Sequence, residues 1–182
     1  MFYRLLACFS LAVLALATPA LASLAVGAKA PDFTLQASMG GNVTTFHLAD
    51  ALKRGPVVLY FYPAAFTTGC TIEAHMFADA IDKYHALGAT VIGVSHDDID
   101  KLNKFSVSEC RSKFRVAADT DQTVMKEYDS VLARAPQLAD RTSYVIAPDG
   151  TIVYTYTNLD PVQHVENTLE ALKAYEAAHP AK

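Results

Sequence analysis

An α/β fold of three layers is what this sequence predicts, and three observations predict it. Val57 to Tyr62 is a continuous apolar run, β-branched and aromatic apart from Leu59, the pattern of a strand buried on both faces. Strand-like runs then alternate with helical periodicities further along the chain. The last part reads as a hairpin followed by one amphipathic helix.

Taken in order, the first 22 residues stand apart from the rest. Met1 to Arg4 is a short basic start, Leu5 to Ala17 is apolar except for Ser10, and Ala20-Leu21-Ala22 has the small-x-small form of a cleavage site. Together these features describe a secretory signal peptide. The apolar run is shorter than the roughly 20 residues a membrane-spanning helix needs. Cleavage after Ala22 would leave a single domain from Ser23 to Lys182, periplasmic or secreted, with no stable membrane anchor. Cys8 leaves with the leader, so the mature chain has two cysteines, Cys70 and Cys110.

Residues 23–31 form a lead-in that ends at Pro31. Asp32 to Gln36 and Val43 to Leu48 flank Ser38-Met39-Gly40-Gly41-Asn42 and read as a hairpin. After the Val57 strand, Pro63 opens a loop. Thr71 to Leu87 then carries Ile72, His75, Met76, Ala80 and Tyr84 at helical spacing, with Gly88 suited to the C-terminal stop. Thr90 to Val94 is a second buried strand. Asp97 and Asp98 open a helix toward Glu109, where acids suit the N-terminal dipole. Arg115 to Ala118 reads as a short strand and Val124 to Tyr128 as a short helix. Ser143 to Ile146 and Ile152 to Tyr156 bracket Ala147-Pro148-Asp149-Gly150, a turn signal. Pro161 starts the last helix, with Val165, Leu169, Leu172 and Tyr175 along one face.

From Ser23 onward there are 14 basic and 19 acidic residues, and the basic ones do not cluster. That excludes nucleic acid as a partner, because phosphate binding needs grouped Lys and Arg. Two cysteines in an oxidising compartment most simply make one structural disulfide. Against that stands the setting of Cys70, at the first turn of a helix that follows a buried strand and its loop. Helix N-termini offer free N–H groups and partial positive charge, which stabilise a thiolate. Thr67 can hydrogen-bond in the same loop, and Arg141, before the Ser143 strand, is a candidate cation for charge developing on a leaving oxygen. On these local grounds a reactive thiolate and an inert thiol remain equally open.

The segment resembles a known family. Pro63-x-x-x-Thr67-x-x-Cys70 is similar to the active-site motif of the peroxiredoxins, and Arg141 stands where that family places an arginine. Phe61-Tyr62-Pro63, Gly69-Cys70-Thr71, Glu73-Ala74, Gly93-Val94-Ser95, Asp97, Arg141-Thr142-Ser143 and Pro148-Asp149-Gly150 resemble the Q-type, or bacterioferritin-comigratory, branch. The likeness runs from about residue 26 to 175. It implies a thioredoxin-like α/β/α sandwich with an N-terminal β-hairpin. It implies a thiol peroxidase that reduces hydrogen peroxide and organic hydroperoxides without metal, haem or flavin. By position, Cys70 is the peroxidatic thiolate, Thr67 and Arg141 orient and polarise the peroxide, Pro63 shields the pocket, and Glu73 supports it. A thioredoxin-like protein or a small thiol is the implied reductant, and a monomer the implied state.

Two positions depart from the branch. His75 stands where many members have a second cysteine, and Thr68 replaces the proline common before Gly69-Cys70. Cys110 is therefore the candidate resolving thiol, in a segment, Ser106 to Lys113, whose polar residues suggest a weakly buried thiol. A one-cysteine cycle with an external resolver is the alternative. Other readings are a copper or zinc module using Cys70, His75, His96 and Cys110, which lack ligand spacing, or a domain with a structural disulfide. A Cys-x-x-Cys oxidoreductase is disfavoured because Thr71, Ile72 and Glu73 follow Cys70.

Overall fold

Alternating side chains on the central strands decide the layering, because successive residues of a strand face opposite sides. The computed structural model describes residues 23–179; the leader reading falls on residues outside them. The elements run β1 (Thr34–Met39), β2 (Asn42–His47), α1 (Leu48–Leu52), β3 (Val57–Phe61), α2 (Thr68–Ala86), β4 (Thr90–Ser95), α3 (Ile99–Ser108), β5 (Arg115–Ala118), α4 (Thr123–Glu127), β6 (Thr142–Ile146), β7 (Ile152–Thr157) and α5 (Val162–Ala178). Seven strands form one sheet in the order β2-β1-β5-β4-β3-β6-β7. β3 pairs in parallel with β4 and antiparallel with β6, and β4 pairs in parallel with β5.

Val58 and Tyr60 of β3 face the side covered by α2, α3 and α5, where Phe77, Tyr84, Leu102, Phe105, Leu169 and Leu172 pack. Val57, Leu59 and Phe61 face the other side, toward α1 and α4, with Leu48, Ala51, Val124 and Met125. Burying each large apolar side chain contributes about 1.5–3 kcal/mol, so the central strand is held from both faces. Gly93 permits a close approach of Tyr60 within the first layer. A Cβ there would lie 2.6 Å from Tyr60 Cζ, and the Tyr60 ring stacks on Phe77 at 4.3 Å between centroids.

The expected elements are all present, with shifts at their ends and one addition. α1 was not expected; its five residues are too few to show a period. α2 begins at Thr68 rather than Thr71, and Cys70, third in the helix, lies in its first turn as expected. Gly88, at φ 66°, carries the chain out of α2. α3 begins at Ile99 because Asp98 is its N-cap, accepting from Lys101 N at 2.8 Å. No described helix is long and apolar enough to cross a membrane.

Candidate active site

The register of β3 against β6 brings together residues far apart in sequence. Phe61, last in β3, pairs with Thr142, first in β6. The loop after Phe61, which leads into α2 and Cys70, and Arg141, just before Thr142, therefore lie at the same end of these strands.

The loop from Tyr62 to Thr67 is held from the neighbouring strand. Asp97 is buried and accepts from Ala65 N at 2.7 Å, from Ser95 Oγ at 2.8 Å and from Lys101 Nζ at 2.6 Å. Its expected place was at the start of a helix, facing the dipole. Asp98 takes that role, and Asp97 turns inward to satisfy a backbone N–H of the cysteine loop. Phe66 in this loop has φ 68°, a left-handed conformation rarely adopted by non-glycine residues, and is half exposed. Pro63 is half-buried in the same loop.

Cys70 is buried, at 2% exposure. The side chain that reaches its sulfur is Arg141, whose Nη2 donates to Sγ at 3.5 Å. Gly69 makes room for this approach, since a Cβ there would sit 3.1 Å from Arg141 Nη2. Thr67 occupies the N-cap position of α2 and is exposed. Its hydroxyl donates to Ala64 O at 3.0 Å, and its carbonyl accepts from Thr71 N at 2.9 Å. Thr67 thus braces the mouth of the loop, with its hydroxyl hydrogen engaged by Ala64 O.

Arg141 is itself buried and held on two further sides. Nη1 donates to Glu73 Oε2, and Nε donates to Leu159 O at 2.9 Å. Burial opposes the guanidinium charge, but Glu73 and Cys70 beside it outweigh that and raise its pKa. Glu73, one turn after Cys70 on α2, is fully buried. Burial pushes its carboxyl up to about 8 against the opposing pull of Arg141. Glu73 is therefore a direct partner of the arginine.

His164, on α5, belongs to the same cluster, and no sequence feature marked it. A lone histidine in the first turn of a helix looks the same whether solvated or buried. Its Nε2 lies 2.8 Å from Asn158 O, and its Nδ1 lies 2.8 Å from Ser143 Oγ and 3.8 Å from Glu73 Oε1. Burial lowers its pKa to about 4, with the Arg141 charge acting the same way and the Asn158 bond opposing. A histidine below its unfolded value contributes stability that is present above about pH 6.5 and lost as pH falls through about 4. The expected cost of charging it is of order 3 kcal/mol. Urea unfolding of the wild type should therefore weaken between pH 6.5 and 4, and His164→Gln should flatten that slope. An equal slope in the variant would remove His164 as its source.

Cys110 corrects an expectation. The polar residues around it predicted a weakly buried thiol, but Cys110 is fully buried and packs in the apolar cluster with Tyr60, Tyr62, Phe105 and Phe114. Its polar neighbours point outward because the chain leaves α3 there in a tight turn. Burial, with the charge of Glu109 adding to it, pushes the Cys110 thiol well above its ordinary value. Both cysteines are free. His75 does not face Cys70; its Nε2 lies 2.9 Å from Glu109 Oε2, next to Cys110. Among the described residues, no three His, Cys, Asp or Glu side chains converge as metal ligands.

Comparison with known proteins adds to this geometry. The model of the AhpC/TSA family matches residues 26–155. The chain is 35% identical over 149 residues to peroxiredoxin Q, chloroplastic, of Oryza sativa subsp. japonica, and 36% identical over 148 residues to the protein of that name in Triticum aestivum. Each match covers 81% of this chain but 66% of the plant protein's length. The crystal structure of peroxidoxin BcpB from Mycobacterium tuberculosis superimposes with a TM-score of 0.74 at 30% identity, covering 82% of this chain and 96% of that one. The reduced 2-Cys peroxiredoxin of Plasmodium vivax has a TM-score of 0.75 at 21% identity, covering 86% of this chain and 99% of that one, and shows the shared fold. With the family model spanning most of the chain and a relative matched over nearly its whole length, this chain belongs to the AhpC/TSA family and, within it, to the Q-type peroxiredoxins.

Proposed function

We propose that the protein is a thiol peroxidase whose nucleophile is Cys70. The observation that carries this reading is the Arg141 guanidinium on the buried Cys70 sulfur, at the start of a long helix. Thiolate attack on the outer oxygen of a hydroperoxide breaks the O–O bond. Cys70 becomes a sulfenic acid, and the leaving oxygen departs as water or alcohol after taking a proton. A fixed cation beside the reacting atoms stabilises the negative charge that develops on the leaving oxygen. A domain built round a structural disulfide is not favoured, because burying Arg141 with Glu73 costs desolvation that packing alone does not require. The test is peroxide consumption by residues 23–182 with a dithiol protein or a small thiol as reductant. Turnover with neither, over a panel of hydroperoxides, would end the reading.

The remaining assignments rest on the sequence. Cys110 is proposed as the resolving thiol, forming an intramolecular disulfide with Cys70. Thr67 and Pro63 are proposed to shape the peroxide pocket. Export is proposed from the apolar run Leu5 to Ala17 and the Ala20-Leu21-Ala22 site. It places the reductant outside the cytoplasm; a monomer is proposed from the Q-type resemblance alone. N-terminal sequencing of protein from the cell envelope should then begin at or near Ser23. A cytoplasmic protein that keeps residues 1–22 would overturn it.

A further inference from the structure

Lys113 and Arg115 follow Cys110 closely in the chain, and folding adds Arg54 to them. The three line one cavity of about 360 Å³ at the N-terminal ends of β3, β4 and β5. Those strands run parallel and Cys70 follows the far end of β3, so the cavity lies at the opposite end of the sheet from the peroxidatic site. Ile81, Val91 and Phe114, all buried, give it an apolar floor.

Its rim carries charge without partners. Among the described residues, no carboxylate lies within 4.0 Å of the charged groups of Arg54, Lys113 or Arg115. Arg54 donates from Nη1 to Asp50 O at 2.9 Å, which leaves most of its guanidinium donors free. Arg54 and Arg115 also line a neighbouring cavity beside His47 and Asp50, and so stand at the common wall of the two. The Asp50 carboxylate does not neutralise them, because Lys53 and His47 occupy it. Asp82 is the one acid lining the first cavity, and it pairs with none of the three cations. Three cations against one carboxylate leave a local positive excess in a chain of formal net charge −4. Two guanidiniums at one wall repel each other, whereas an oxyanion between them accepts hydrogen bonds from both in the planar geometry that arginine suits. The carbonyls at the C-terminal end of α2 would oppose an anion nearby, but they are already engaged. Tyr84 O accepts from Leu87 N and Ala89 N, and His85 O accepts from Gly88 N.

We propose that this cavity binds a small oxyanion of the phosphate class through Arg54, Lys113 and Arg115, and that binding fastens the turn carrying Cys110. Its volume falls at the lower end of the range of small-molecule sites and admits a group the size of pyrophosphate. The link to Cys110 is short. Lys113 N donates to Cys110 O at 2.9 Å, and Ser112, with Arg111 one of the two left-handed residues of the turn, is also on the cavity wall. An anion that joins Lys113 to Arg54, just before β3, and to Arg115, in β5, ties the turn to the central sheet. Occupancy therefore slows the escape of Cys110 from the apolar cluster, and with it formation of the Cys70–Cys110 disulfide. That last effect rests on the reading of Cys110 as the resolving thiol; the binding site does not.

The test uses the purified protein with sodium pyrophosphate as the probe, at an ionic strength held constant with sodium chloride. Calorimetry should show saturable binding of one pyrophosphate per chain. The double variant Arg54→Gln, Lys113→Gln alters two exposed positions and should fold normally, yet bind more than tenfold more weakly. Arg134→Gln, at an exposed arginine that lines neither cavity, should bind as the wild type does. Amide hydrogen exchange over residues 111–115 should slow when pyrophosphate binds. After one equivalent of hydrogen peroxide, saturating pyrophosphate should slow disulfide formation several-fold in the wild type and leave the double variant's rate unchanged. Binding that does not saturate, that survives the double substitution or that sodium chloride reproduces overturns the site. Saturable binding with unchanged exchange in the turn, or with an unchanged disulfide rate, overturns the fastening. Slower exchange in a protein that forms no Cys70–Cys110 disulfide under any condition would overturn the resolving role of Cys110 instead.

Discussion

Cys70→Ser is expected to abolish peroxide consumption altogether, since a serine hydroxyl supplies no comparable nucleophile at neutral pH. The substitution removes one sulfur from a buried site and leaves the surrounding contacts in place, so the fold should survive and the loss should be chemical. Arg141→Ala should cost on the order of a hundred- to a thousandfold in kcat/KM, the range typical of a donor that stabilises developing negative charge. Removing a buried cation usually strands its partner, but here Glu73, already held up to about 8, can take a proton and become neutral. The Arg141→Ala protein should therefore fold, with a modest fall in melting temperature, while its activity drops. Arg141→Lys should also be poor. A single ammonium cannot hold Leu159 O, Glu73 Oε2 and Cys70 Sγ together as the planar guanidinium does. Unchanged turnover in Cys70→Ser, measured by peroxide disappearance with reductant in excess, would end the proposed mechanism.

Cys110→Ser should change the fate of Cys70 rather than its first oxidation. In the wild type, one equivalent of peroxide should give an intramolecular Cys70–Cys110 disulfide, seen by peptide mapping under non-reducing conditions. In the variant, Cys70 should stop at the sulfenic acid and go on to the sulfinic acid with excess peroxide. The burial of Cys110 makes this a demanding step, because the thiol must leave the apolar cluster and its Cα must come within about 7 Å of that of Cys70. What holds the segment in place is limited. His75 pairs with Glu109 and Asp79 with Arg111, one on each side of Cys110, and such partly exposed pairs contribute little each. Arg111 and Ser112, immediately after Cys110, have φ of 49° and 58°. Two consecutive left-handed non-glycine residues cost roughly 1–2 kcal/mol apiece, which is released when the turn opens. The turn thus stores strain that favours local opening, and that offsets part of the cost of uncovering the thiol. Full-speed turnover of Cys110→Ser with a dithiol protein as sole reductant would replace the two-cysteine cycle by a one-cysteine one.

The fold class and the family motif around Cys70 were legible in the sequence because each depends on residues that are neighbours in the chain. A run such as Val57 to Phe61 can be buried on both faces only as a central strand, and the ordered blocks around Pro63, Thr67, Cys70 and Arg141 carry a family resemblance. Strand order could not be read, since pairing β1 with β5 and β3 with β6 joins residues as far apart in the chain as Ala37 and Ala117 or Val57 and Ile146. The surroundings of Arg141 were hidden for the same reason: its partners Glu73 and Leu159 lie on α2 and in the loop after β7, and His164, 3.8 Å from Glu73, lies on α5. Asp97 and Cys110 show the other limit. Local composition placed Asp97 at a helix start and Cys110 in a polar, weakly buried turn, and tertiary packing reversed both. An unsatisfied N–H in the cysteine loop drew the carboxylate inward, and a tight left-handed turn aimed the thiol at the core while its polar neighbours faced water. Sequence alone named the candidates for chemistry; which of them meet at the one guanidinium of Arg141 was decided by the sheet register and by burial, because both act between segments that only folding brings together.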